Sequence, residues 1–400
     1  MSQITNSIPK AAGQQTVFAI LFAIASAHFM NDMMQAIIPS LYPMLKENYH
    51  LSFTQIGFIT FSYQVTASLL QPFVGSYTDK FPKPYSLAFA MICTFLGVLS
   101  LAFASSYVLI LCSCAIIGIG SSIFHPEASR VAFLASGGRR GLAQSIFQLG
   151  GNFGTAVGPL LVALYIMPHT QIHVLKFLVV AVVGFVVLTL VGRWYKKQLE
   201  QSIKKAAAVK QAILSPQLVK RSIAILLVLI FSKAFYLASM TNYYAFFLMH
   251  KFALTAVQAQ YYLFMFLGAV ALGTLIGGPI GDKIGRKYVI WISILGTAPF
   301  ALLLPYASLQ WTFVLSIIIG LILSSAFSAI LVFAQELMPN KVGTLSGLFF
   351  GFSFGMGGLG SAVLGYFADL YSIESVYAIT AFLPLIGIIT YFLPNVKNDK

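Results

Sequence analysis

Charge is what this chain has least of. Only 8% of its 400 residues are Asp, Glu, Lys or Arg, and just 10 are acidic. A soluble domain carries about a quarter of its residues as charges. So few cannot cover a water-exposed surface, which excludes a soluble enzyme, a DNA-binding module and a disordered chain. Cysteine is scarce too. Cys93, Cys112 and Cys114 all lie in apolar runs, where they read as small packing residues and not as a disulfide framework or a metal centre. No Asn-x-Ser/Thr sequon occurs. The polar first fifteen residues lead to no small-residue cleavage site, so no removable signal peptide is expected.

What the chain has in abundance is apolar sequence: 58% of residues are hydrophobic and the mean hydropathy is +0.87. A helix needs about 20 apolar residues to cross a bilayer. Runs and their turn punctuation give twelve expected spans: 17–45, 54–78, 85–104, 107–135, 141–166, 173–195, 220–249, 256–280, 287–306, 311–338, 342–369 and 374–393. The expected fold is an all-α integral membrane protein. Residues 1–195 and 219–400 would form two six-helix bundles, joined by a basic linker over 196–218.

An even number of spans puts both termini on one side. Almost every cation then falls on that side. Only Lys46, Lys176 and Lys251 fall on the other, while Arg130 and Lys233 lie within spans. This asymmetry makes the cation-rich side cytoplasmic, with both termini there. The net charge of +14 is thus scattered over loops, which argues against nucleic acid as a partner.

The two halves repeat each other at a constant offset of 203 residues. Gly75, Asp79 and Lys80 align with Gly278, Asp282 and Lys283. Gln55 aligns with Gln258, Ser121 and Ser122 with Ser324 and Ser325, and Phe147 with Phe350. Six spans is an even number, so the repeats share one orientation. They would be related by an axis along the membrane normal, as in two-bundle transporters.

Against this apolar background the intramembrane polar groups stand out. His28, Asn31, Asp32 and Gln35 share one face of the first span. Asp32 sits mid-span, and a carboxylate at that depth is a functional candidate by default. It is a candidate proton site with His28 as its neighbour; the competing reading is a structural hydrogen-bond knot. The fourth span carries His125, Pro126, Glu127 and Arg130. Glu127 and Arg130 are spaced to pair with each other, whereas His125 points to nearly the opposite side. The group is either a gating or binding element or a self-satisfied pair at the membrane edge. No second ligand pair supports a metal there. Gln144, Gln148 and Asn152 form a polar stripe on the fifth span, beside the close-packing run Gly150, Gly154 and Gly158. Lys233, followed by Tyr236, is buried in the seventh span and needs an anionic partner. That partner is either Asp32 or Glu127, or the substrate. Glu336 near the end of the tenth span is expected to contact a loop.

The loop Gly278-x-x-x-Asp282-Lys283-x-Gly285-Arg286-Lys287 resembles the signature loop of the major facilitator superfamily. Its first-half copy is degraded, with Phe81-Pro82-Lys83 after Lys80. The resemblance implies a conformational latch made by Gly75, Asp79, Lys80, Gly278, Asp282, Gly285 and Arg286. It also implies that spans 3, 6, 9 and 12 face lipid and that spans 1, 4, 7 and 10 line a central cavity. His28–Gln35, Leu69–Lys80, Gly120–Arg130, Ser136–Gly154, Gly277–Trp291 and Ala326–Glu336 are similar to a bacterial inner-membrane drug exporter of that superfamily. This implies export of a small drug in exchange for protons, with no cofactor and no enzymatic step, by a chain acting as a monomer in the lipid bilayer. Asp32, His28 and Glu127 would then couple protons. An anionic drug would meet Lys233, Arg130, His125, Asn31, Gln35, Gln144, Gln148, Asn152 and Tyr236. A carrier of a metabolite, an organic acid or a sugar, is the alternative. A channel is disfavoured because no ring of pore charges is seen.

Overall fold

A computed structural model describes residues 15–394, apart from 42–43, 46–47, 52, 167–169, 206–214 and 255. Both termini and the middle of the expected linker lie outside the described residues. Helices dominate: α1 (Phe18–Gln35), α2 (Phe53–Leu69), α3 (Gln71–Lys80), α4 (Ser86–Ala102), α5 (Tyr107–Ala135), α6 (Arg140–Tyr165), α7 (Leu178–Lys205), α8 (Pro216–Phe252), α9 (Ala256–Ile284), α10 (Arg286–Leu295), α11 (Leu309–Ser324), α12 (Ala326–Leu337) and α13 (Val342–Leu370). The expected linker begins as a continuation of α7 through Lys205.

Eight helical segments among the described residues are long and apolar enough to cross a membrane: Tyr107–Ala135, Gln171–Glu200, Pro216–Thr241, Met265–Ile284, Arg286–Tyr306, Leu309–Leu337, Pro339–Gly360 and Ile373–Phe392. Apolar runs and turn signals predict twelve. The shortfall has a physical pattern. The α1 and α6 segments carry the polar groups of interest, α4 is a shorter apolar helix, and the expected second span divides at Leu70 into α2 and α3. By contrast α5 and α8, which carry His125 and Lys233, still qualify.

Large apolar side chains point outward in rows. Examples are Phe89, Ile92 and Leu96 on α4, Val179, Val182, Val183 and Val186 on α7, and Trp291 and Ile292 on α10. Water would penalise such rows heavily, whereas a bilayer solvates them. The chain is therefore a multi-span membrane protein with an interior built from the remaining faces.

Close packing positions the site. Helix α1 packs along α6, where Gly150 and Gly154 lie so near α1 that a β-carbon would overlap the carbonyls of Ala25 and Phe29. The pairings that join the chain's halves include α3 with α13 and α6 with α9. At both seams glycine meets glycine, Gly75 against Gly343 and Gly141 against Gly278. Backbones can approach that closely only where a side chain is absent.

Candidate transport site

The polar face of α1 meets α5 at one buried point. The Asp32 carboxylate lies 3.1 Å from His28 Nε2 and 3.6 Å from His125 Nε2. Each imidazole is oriented from behind: His28 Nδ1 is 2.8 Å from the Phe147 carbonyl and His125 Nδ1 is 2.9 Å from the Ser121 carbonyl. A carbonyl only accepts, so Nδ1 carries the hydrogen in both rings. In the neutral tautomers both Nε2 lone pairs then face a carboxylate that also has only lone pairs to offer. Such an arrangement is favourable only with a proton or another cation among the three groups. The Asn31 amide donates to Asp32 Oδ1 at 3.1 Å. Stacking of His28 on Phe147, with centroids 4.1 Å apart, fixes the ring plane. Both histidines are buried, whereas the Asp32 side chain keeps 15% exposure.

The fourth span divides as its spacing implied. His125 faces Asp32, while Glu127 turns away to Ser86, which donates to it at 3.1 Å, and to Arg130 at 3.2 Å. Arg130 also donates to Asp79 at 2.6 Å, to the Thr78 carbonyl at 2.6 Å and to the Thr78 hydroxyl at 3.0 Å. Its guanidinium is occupied by protein groups. These partners put it beside Asp79, whose carboxylate caps a helix of the other half. Among the described residues no contact joins Glu127 to Asp32, so these two carboxylates belong to separate clusters.

Both signature aspartates cap a helix from the other half of the chain. Asp79 accepts from the amides of Gly343 and Thr344 at 2.9 and 2.7 Å, at the start of α13, and from the Thr344 hydroxyl. Asp282 accepts from Gly141 and Leu142 at 3.0 and 2.9 Å, at the start of α6. A carboxylate there satisfies unpaired amides and complements the helix dipole. Arg286 holds Asp282 at 2.5 Å and reaches Glu336 at 3.2 Å, which gives Glu336 the loop contact expected of it. Gly285, with φ +102°, makes the turn between α9 and α10. Lys80 is exposed.

Lys233 is 8% exposed, and its ammonium lies 5.2 Å from the Phe327 ring centroid. Among the described residues it pairs with no carboxylate; Asp32 and Glu127 are engaged elsewhere. Asn152 donates to Thr274 across the halves at 3.0 Å. Gln35 accepts from Tyr63 and from Ser121. Gln144 accepts from Ser129, and Gln148 Oε1 is buried without a partner. Tyr236 is 1% exposed and packs in a core with Met240, Tyr244 and Tyr377.

Several residues escaped the sequence reading. Gly151 abuts the triad: a β-carbon there would overlap His28 and lie 2.7 Å from Asp32 Oδ2. Gln335 donates to Ser129 at 3.1 Å and to Ser346 at 2.9 Å, forming a buried polar knot between the halves. Arg140 lies 3.7 Å from Glu336. Of these, only Gly151 had a sequence signal, as a neighbour of the glycine run.

The Major Facilitator Superfamily model matches residues 24–358 and 234–400. The chain is 57% identical over 384 residues to the fosmidomycin resistance protein of Escherichia coli (strain K12), covering 96% of this chain and 95% of that one. It is 42% identical to the uncharacterized MFS-type transporter YfnC of Bacillus subtilis (strain 168), covering 95% and 94%. Among solved structures, the E. coli fucose:proton symporter matches with a TM-score of 0.72 at 14% identity, over 94% of this chain and 98% of that one. The human organic anion transporter MFSD10 matches with a TM-score of 0.74 at 14% identity, over 95% and 100%. At such identities these structures speak to the fold alone. The chain belongs to the major facilitator superfamily and is a membrane transporter of small solutes, not an enzyme.

Proposed function

We propose that this transporter exports a small anionic antibiotic of the fosmidomycin type across the bacterial inner membrane in exchange for protons. The observation that carries the proposal is the His28–Asp32–His125 triad, whose donor and acceptor pattern is satisfied by a bound proton. Asp32 is its carrier, His28 and His125 its partners. His125 therefore moves from the substrate set to the coupling set, and Glu127 serves the seam. The drug assignment is supported by the resistance protein to which the chain is 57% identical. Lys233 supports the anionic class: it is a buried cation with no protein counter-charge among the described residues, and a phosphonate would supply one. Asn31, Gln35, Gln144, Gln148 and Asn152 supply polar contacts.

The working cycle is alternating access by two six-helix bundles, 1–195 and 219–400, with the basic loops and both termini on the cytoplasmic face. The Asp79 and Asp282 caps hold that face closed. Opening outward, the site takes up a proton on Asp32 and releases drug. Opening inward, drug binding near Lys233 accompanies proton loss. The chain acts as a monomer. The test is drug accumulation in inverted proteoliposomes under an imposed pH gradient. The proposal stands if the gradient drives drug uptake and drug addition moves protons the opposite way. Drug movement indifferent to the gradient would refute it.

A further inference from the structure

We propose that His28, Asp32 and His125 also form a binding site for a divalent transition-metal ion of the zinc class, which competes with the transported proton. The ligand set stands on its own geometry; the competition rests on the proton-exchange reading above.

The ligand atoms of the three residues lie within 4.8 Å of one another. Both Nε2 atoms are buried and have no hydrogen-bond partner. Each histidine donates its other ring hydrogen to a backbone carbonyl. That outer-shell contact orients a metal-binding imidazole and leaves Nε2 free to ligate. The Asn31 amide plays the same part for Asp32. The rings are held by packing: His28 against Phe147, His125 against Phe350 and Phe354 at 5.3 and 5.2 Å.

The donor types select the ion. Magnesium and calcium take oxygen ligands in larger number. Two imidazoles and one carboxylate suit zinc, nickel or cupric ions, and three protein ligands with an open fourth position are a frequent zinc arrangement. The partial exposure of Asp32 supplies the opening. Space for the ion comes from Gly151, because any β-carbon at that position would intrude between His28 and Asp32. Gly151→Ala therefore fills the site while leaving all three ligands in the chain.

The experiment uses tag-free, chelator-stripped protein in detergent, titrated with Co²⁺ as the probe. The expected result is one equivalent bound with the visible d–d bands of a low-coordinate ion, no thiolate charge-transfer band, and displacement by Zn²⁺. His28→Ala, His125→Ala and Gly151→Ala should each abolish the bands. Circular dichroism and a single size-exclusion peak identify the folded variants, and any one of the three suffices. No saturable binding by the wild type overturns the proposal. So does binding that survives in a folded variant, which would mark an adventitious surface ligand such as exposed His250. In proteoliposomes Zn²⁺ should inhibit gradient-driven transport, with recovery on chelation. Metal binding without gradient-driven transport would keep the metal site and remove the proton reading. Gradient-driven transport without metal binding would do the reverse.

Discussion

Arg130 on α5 donates to the Asp79 carboxylate at 2.6 Å, and so takes the place of an arginine that the first signature loop lacks. In the second loop Arg286 holds Asp282 from four residues away. The first loop has Lys83 at the position equivalent to Arg286 and Phe81-Pro82 before it. The degraded copy thus keeps an arginine on its aspartate through a side chain from a different helix. Asp79 accepts from Arg130 and from the first amides of α13 at once.

Arg130→Ala should therefore act as a lesion of the seam. It leaves Glu127, fully buried, and Asp79 without their cation. Breaking a buried pair by removing one partner costs about 3–5 kcal/mol. A large fall in the thermal unfolding midpoint in detergent is expected. Arg130→Lys should recover only part of it, because an ammonium lacks the planar fork that reaches Asp79, Glu127 and Thr78 together. An unchanged midpoint for Arg130→Ala would contradict this role.

Asp79→Asn and Asp282→Asn should each shift the halves toward opening on the loop side. Each removes the charge that completes a helix N-terminus from the opposite half. Spin labels on α3 and α13 should report longer distances in Asp79→Asn than in the wild type. The double variant should shift further. Identical distance distributions would show that the caps do not hold the seam.

Lys233→Ala should weaken anionic substrates selectively. A hydrogen bond to a charged group is worth about 1.5–3 kcal/mol, so KM for a phosphonate should rise tenfold or more. A neutral substrate of similar size should be little affected. Equal losses for both would point to packing against Phe327 as the role of this lysine.

Gly154→Leu should prevent assembly of α1 on α6, since its β-carbon would already overlap the Phe29 carbonyl. Loss of the monodisperse peak in fluorescence-detected size exclusion is the expected outcome. Substitution at Gly357, where a β-carbon meets nothing within 4 Å, should be tolerated and serves as the control.

Much of this was legible in the sequence, and the rest was not for physical reasons. The scarcity of charge and the helical spacing of His28, Asn31, Asp32 and Gln35 announced both the membrane and the first face of the site. The i, i+3 spacing of Glu127 and Arg130 implied their pair, and the orientation of His125 implied its separation from them. The meeting of His125 with Asp32 depends on how α1 and α5 pack, and no local pattern encodes that. Nor does any pattern reveal that Arg130 substitutes for a missing loop arginine, since its partner lies 51 residues away. Tyr236 follows Lys233 at helical spacing, and its packing with Met240, Tyr244 and Tyr377 depends on tertiary contacts that spacing does not encode. Nor does spacing within one helix bring the ligand atoms of His28, Asp32 and His125 together, since they come from α1 and α5.

Transport driven by an imposed pH gradient, compared between wild type and Asp32→Asn in proteoliposomes, tests the coupling most directly. Asn keeps the shape of the side chain and removes the carboxylate that lies against His28 and His125. The expected result is loss of gradient-driven drug accumulation with drug-for-drug counterflow retained, showing a folded but uncoupled carrier. Full gradient-driven accumulation by Asp32→Asn would contradict the assignment of Asp32 as the proton carrier.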